Sequence, residues 1–179
     1  MARHAQSSTA ILGVLSIGPA TGYEIRQAIS TVLGHFWHES FGQIYPCLAE
    51  LEDDGLVRTT PGARPRSSRF EITSAGRARL RALLAEAPVP QHPRNGVLLR
   101  TFFGDSMAQE DLAAMLDDVE TQSRQRLDSY AAIRADITAE PAYAEHGPFW
   151  EATLRAGELT VEAQLAWVAE TRATLLLSR

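Results

Sequence analysis

The residues of this chain best suited to meeting a polyanion or the edge of a base are Ser40, Gly42, Gln43 and Tyr45, followed by Arg64, Arg66 and Arg69. A glutamine amide can pair bidentately with adenine in a major groove. A tyrosine hydroxyl can donate to a phosphate, a glycine lets a backbone come close, and arginines at a turn suit phosphate or minor-groove contact. Each has a plainer reading. Gln43 can serve as the capping partner of Ser40, Tyr45 can be a half-buried structural ring, Gly42 can relax a crowded helix contact, and the arginines can decorate a solvated loop. Arg77, Arg79 and Arg81 fit a solvated or salt-bridged helix face.

Other chemistry is sparse. No nucleophile–base constellation and no phosphate-cradling glycine loop is legible, so no catalytic residue, cofactor or enzyme activity is expected. His35 and His38 stand three apart beside Glu39, a possible metal pair, but no further ligand is evident and linker histidines are the simpler reading. Cys47 has no second cysteine to resolve a redox reaction and lies near the edge of an apolar stripe. Phe102, Tyr130, Trp150 and Trp167 either line a pocket for a small hydrophobic or aromatic effector or pack a helical core.

The elements that must position the first group follow from local signals. Ser40-Phe-Gly-Gln43 fits a capping box, Ile44, Leu48 and Leu51 form a helical apolar stripe, and Asp53-Asp54-Gly55 ends it. The opposite face, Gly42, Gln43, Pro46 and Ala49, is small and uncharged, as suits a helix lying in a groove. Pro46 inside such a helix costs about 3 kcal/mol, so either the regular helix starts near Gly42–Ile44 or it bends there. Upstream, residues 1–7 are expected to fray and Ser8 to Ile17 to form a helix. Thr21-Gly-Tyr-Glu24 makes a second capping box, ahead of a stripe of Ile25, Ala28, Ile29, Val32 and Leu33. Two capped helices with a short connection form a helix-turn-helix pattern. Leu56–Thr60 and Ser68–Ile72 then read as paired strands around the Pro- and Arg-rich tip 61–67, a cationic wing. Thr73 caps a helix from about Ser74 to Ala87, carrying Leu80, Leu83 and Leu84.

Pro88, Pro90 and Pro93 mark a linker. Beyond it come a short apolar segment, Val97 to Phe103, and a long helix to about Ala139. The long helix has Leu112, Leu116, Val119, Tyr130, Ile133 and Ile137 on a heptad track that Ser123 and Arg126 interrupt. A break from Pro141 to Pro148 precedes a last helix bearing Trp150, Leu154, Val161, Leu165, Val168 and Leu175, where Gly157 marks a kink or a close approach. The expected fold is mainly α with one small β-hairpin: a winged helix-turn-helix domain at 1–87, a linker at 88–93, and an antiparallel α-helical dimerisation domain at 94–179. Burying each large apolar side chain is worth about 1.5–3 kcal/mol, so two such stripes call for each other and for a second copy in a two-fold homodimer.

Charge is divided to match. The net charge is −5, yet from Arg58 to Arg81 seven arginines face Glu71 alone, whereas from Ala87 onward eight arginines face fourteen acids. Screening confines such effects to about 8 Å, so the local basic stripe governs phosphate contact. A single cysteine and no span of about 20 apolar residues suggest a reducing, cytoplasmic setting without a membrane segment.

Several strings resemble the PadR family of bacterial winged helix-turn-helix transcriptional regulators. They are Leu15-x-x-Gly18-Pro19-x-x-Gly22-Tyr23-Glu24-Ile25, Phe36-Trp37, and Ser40-x-Gly42-Gln43-Ile44-Tyr45-Pro46-x-Leu48-x-x-Leu51-Glu52-x-x-Gly55-Leu56-Val57. Arg64-Pro65 and Arg69-Phe70-x-Ile72-Thr73-x-x-Gly76-Arg77 follow. Arg100-x-Phe102-Phe103-Gly104-Asp105 and Leu165-Ala166-Trp167 look like the longer branch, and Phe70 stands where tyrosine is usual. The resemblance implies a dimeric repressor on a pseudo-palindromic operator in double-stranded DNA, released by a small aromatic or hydrophobic effector, with activators among the longer relatives. The rivals are a small enzyme with an all-α domain and a protein-interaction adaptor that uses the winged-helix scaffold without DNA.

Overall fold

The computed structural model describes residues 2–34, 36–37, 41–61, 68–88, 90, 94–139 and 143–176. These divide into two compact units, Met1–Gln91 and His92–Arg179. In the first, α1 (Ala2–Ile17) begins earlier than its apolar stripe suggests. Ser7 and Ser8, expected to lie in a frayed end or at a helix start, are buried there, with Ser8 Oγ 3.5 Å from Cys47 Sγ. Small hydroxyls that can bond locally tolerate such a face where larger polar groups cannot.

Helix α2 (Gly22–Ala28) is fixed by the reciprocal box: Thr21 N–H donates to Glu24 Oε2 at 2.7 Å and Glu24 N–H to Thr21 Oγ1 at 3.2 Å. The backbone then widens into a π-helical turn over Ile29–Leu33. Ile25 and Ile29 are buried and Leu33 packs against them, as the stripe predicts; the Val32 side chain lies outside the described residues. Helix α3 (Phe41–Asp53) runs unbroken through Pro46, so regular helix begins before the proline. Ser40, and with it the predicted capping box, lies outside the described residues. Ile44, Cys47, Leu48 and Leu51 form the buried face, which places Cys47 inside the core rather than at its edge. Gly55, at φ +68°, closes α3: its N–H donates to Glu52 O and that of Leu56 to Leu51 O, both at 2.9 Å.

Strands β1 (Val57–Pro61) and β2 (Ser68–Ile72) pair antiparallel, Val57 opposite Ile72 and Thr59 opposite Phe70. Ala20 adds a short third rung through two backbone hydrogen bonds with Phe70. Thr73 caps α4 (Ser74–Ala85) and also donates to Gly55 O at 2.8 Å, tying the hairpin's exit to its entrance. Leu80 and Leu83 are buried, but Leu84 is 68% exposed. Gly76, Leu80 and Leu83 define the packed stripe at spacings of four and three, and Leu84 falls a further 100° round from Leu83.

The second unit opens with α5 (Gly96–Phe102), capped by Asn95, and a 3₁₀ turn over Gly104–Ser106. Helices α6 (Gln109–Ala139) and α7 (Gly147–Leu175) then pack antiparallel. Their direction is plain from the pairs Glu120–Arg172, Ser123–Gln164 and Arg134–Glu151, in which one number rises as the other falls. Two apolar clusters lie between them: Leu112, Leu116, Val119 and Val168 near one end, and Tyr130, Leu154 and Val161 near the other. Ser123, read in sequence as an interruption, is buried in the stripe, 3.4 Å from Gln164 Oε1. Gly157 marks a close approach without breaking α7, since an added Cβ would stand 2.7 Å from Tyr130 Cζ and Oη. Ion pairs edge the seam. Glu158 is held below the ordinary carboxylate value chiefly by its hydrogen bond from Arg134, with Arg155 on its other oxygen. Arg124 and then Arg172 depress Glu120 in the same way.

Candidate nucleic-acid interface

The outward face of α3 follows from its inward one. With Ile44, Cys47, Leu48 and Leu51 facing the core, helical rotation turns Gly42, Gln43, Tyr45, Pro46 and Ala49 to solvent, and all five are exposed. No charge stands among them. Pro46 has no N–H to return to the Gly42 carbonyl, which leaves that oxygen without its usual helical donor. The acids begin at Glu50 and continue through Asp54, toward the helix C-terminus. Of these, Glu52 turns to the hairpin, where it accepts from Thr59 N–H at 3.0 Å.

Tyr45 is 55% exposed but not free-standing: its ring lies on Gly22 at the first turn of α2. Beside it on α2, Tyr23 is exposed and the Arg26 guanidinium sits 5.5 Å from its ring centroid. In the sequence Tyr23 stands out only within the capping box and the family string, and no local pattern marks Arg26.

The arginine stripe is more committed than its count suggests. Arg58 pairs across the strands with Glu71 at 2.7 Å, Arg77 donates to Ser16 O at 3.3 Å, and Arg79 lies 3.9 Å from Glu86. Arg69, expected on the DNA-facing surface, donates to the Pro19 carbonyl and stands 3.6 Å from Glu24. Its guanidinium therefore fastens β2 to the turn before α2. Glu24 is drawn below the ordinary carboxylate value, first by the Thr21 backbone N–H, with Arg69 adding to the effect. Ser40, Arg64, Arg66, His35 and His38 lie outside the described residues. Among the described residues, no group of three or more His, Cys, Asp or Glu is placed to hold a metal, and no helix is long and apolar enough to cross a membrane.

The four aromatic residues proposed for an effector do not meet. Phe102 is 81% exposed on α5, Tyr130 is buried against Gly157, and Trp167 packs beside Leu112 and Leu116. Trp150 stacks on His146 and meets Tyr143 edge-on, near the start of α7. At 1.5 Å per residue, Trp150 and Trp167 are about 25 Å apart along one helix. No single small molecule touches both within one chain.

Residues 11–82 match the model of the transcriptional regulator PadR-like family, and residues 93–175 match that of the virulence activator alpha C-terminal family. The chain belongs to the PadR-like family of transcriptional regulators. It is 31% identical over 120 residues to the negative transcriptional regulator PadR of Bacillus subtilis, a match spanning 65% of each protein. Over 175 residues it is 28% identical to a probable transcriptional regulator of Mycobacterium tuberculosis, covering 90% of this chain and 93% of that one. Among solved structures, a PadR-like regulator of Bacillus cereus superposes with a TM-score of 0.81 at 20% identity, over 97% of this chain and 99% of that one. The virulence activator AphA of Vibrio cholerae gives 0.73 at 27% identity, with the same shares covered. Bacillus subtilis PadR in complex with operator DNA gives 0.77 at 24% identity, over 93% and 97%, and that protein has also been solved with p-coumaric acid. The PadR-like fold, a winged helix followed by a helical C-terminal region, is thus common to all three.

Proposed function

We propose that this PadR-like regulator is a homodimeric repressor that binds a pseudo-palindromic operator with α3 in the major groove. The observation that carries the reading is the uncharged, outward face of α3, beside the β1–β2 hairpin; in sequence, the residues joining the two strands include Arg64 and Arg66. Ser40, Gly42, Gln43 and Tyr45 would meet the groove, with Gln43 reading a base and Tyr45 reaching a phosphate. Arg64 and Arg66 would hold the flanking backbone. Arg69 acts from behind, by fixing the hairpin. The Bacillus subtilis relative's operator complex and its naming as a negative regulator support both the partner and the sign. Its p-coumaric acid complex supports a small aromatic effector as the releasing signal. Phe102 and Trp167, at the α5 end of the second unit, then remain candidates to line the effector site, and Tyr130 and Trp150 become core and turn packing.

The C-terminal match to virulence activators favours a second reading, activation from the same dimer. A promoter–reporter fusion carried with and without the gene separates the two: repression raises the signal on deletion, activation lowers it.

DNA binding itself is tested by titrating salt against a labelled duplex. Affinity falls steeply with salt because phosphate contacts release counterions. Arg64→Ala with Arg66→Ala weakens low-salt binding and flattens the slope by about 1–2 per protomer. An unchanged slope removes the hairpin from the interface. Absence of binding to any duplex at low salt leaves the adaptor reading in its place.

A further inference from the structure

We infer that Gly22, on α2, is a positioning residue for DNA recognition: it is the seat that holds the Tyr45 ring of α3 in its binding orientation. The inference rests on the proposed entry of α3 into the groove. A Cβ on Gly22 would stand 2.6 Å from Tyr45 Cε1, 3.2 Å from Cζ and 3.3 Å from Oη. The ring thus fills the volume that any other side chain at position 22 would take.

Backbone conformation does not explain this glycine, because Gly55 is the one glycine with positive φ among the described residues. Space does. Gly22 is buried while the tyrosine above it is more than half exposed, so the Cε1–Cζ–Oη edge of the ring rests on α2 and the rest of it is presented outward. The seat is rigid, since the Thr21–Glu24 box fixes the turn that contains it. An exposed tyrosine on an isolated helix would lose rotamer freedom on meeting DNA, and that loss weakens binding. Here the ring is oriented beforehand.

The test is a double-mutant cycle on the full chain, read against a duplex enriched on the parent from a random library. Gly22→Ala displaces the ring. Because the ring is largely exposed, it can swing into solvent, so the thermal midpoint stays near that of the parent. Affinity for the enriched duplex falls by about threefold to tenfold, the scale of one side chain's lost freedom. In a Tyr45→Ala background, Gly22→Ala has no further effect. A second measurement works even if Gly22→Ala folds poorly: in the free parent, the Gly22 Hα resonance carries a ring-current shift that Tyr45→Ala removes. Parent-like affinity of the Gly22→Ala variant, an equal loss in both backgrounds, or an unmoved Gly22 resonance each overturns the seat while leaving DNA binding intact. Failure of the parent to enrich any duplex overturns the reading on which the seat depends.

Discussion

A single guanidinium shows how far residue type alone determines role. Arg64, Arg66 and Arg69 look alike in sequence, and all three suit phosphate, yet Arg69 is engaged with Glu24 and the Pro19 carbonyl. Its partners lie more than forty positions away, so no local pattern could disclose the pairing. The contrast is measurable. Arg69→Ala lowers the thermal midpoint of the N-terminal unit together with DNA affinity, whereas Arg64→Ala and Arg66→Ala lower affinity at an unchanged midpoint. Equal midpoints for all three would remove Arg69 from its holding role. Glu24 was, by contrast, fully legible, because a capping box is written within four consecutive residues. Its folded-state pKa is depressed, so its contribution is present above the ordinary carboxylate value and is lost as pH falls through the lowered one. Glu24→Gln keeps a weaker acceptor. It should reduce stability near neutrality by about 0.5–1 kcal/mol, discounted for exposure, and remove this group's share of the acid sensitivity seen in urea unfolding at successive pH values.

Helix positions were recovered from apolar spacing nearly throughout, since burial on one side imposes a period whatever the partner. Which partner is met was less readable. Tyr130 was a candidate effector contact because aromatic residues serve pockets and cores alike, and only the facing helix decides: opposite it stands Gly157. That meeting gives a prediction whose sign is diagnostic. Gly→Ala inside an unhindered helix stabilises by about 1 kcal/mol. At position 157 the added methyl meets the Tyr130 ring, and overpacking of this kind costs about 1–3 kcal/mol. Gly157→Ala should therefore lower stability in thermal or urea unfolding, and a raised midpoint would refute the contact. Ser123 makes the complementary point: a polar residue within a heptad track reads as a gap, yet it is buried beside Gln164, where the two can satisfy one another.

At the scale of the whole molecule, the −5 net charge proves a poor guide to partner, because the acids concentrate in the second unit and many are spent on Arg124, Arg134, Arg155 and Arg172. Of the two partners the heptad stripes call for, each other and a second copy, the first is met within the chain, where α6 and α7 pack through the two apolar clusters. Besides Phe149, Leu159 and Leu175 on α7, what stays uncovered in the second unit is the group Leu98, Leu99, Phe102 and Phe103 around α5. For the proposed homodimer this is the surface to alter. Leu99→Glu with Phe102→Glu should shift the mass in solution from twice 19.6 kDa toward a single chain and weaken operator binding together. A parent that is monomeric at micromolar concentration would end the dimer reading. The blankness of α3's outer face has a consequence of another kind. Ile44, Cys47, Leu48 and Leu51 carry the packing, so substitutions at Gly42, Gln43 or Ala49 leave the fold nearly indifferent. With α3 in the groove as proposed, gene duplicates of this regulator would drift to new target sequences by a few steps that cost the fold little, and escape cross-talk without first gaining stability.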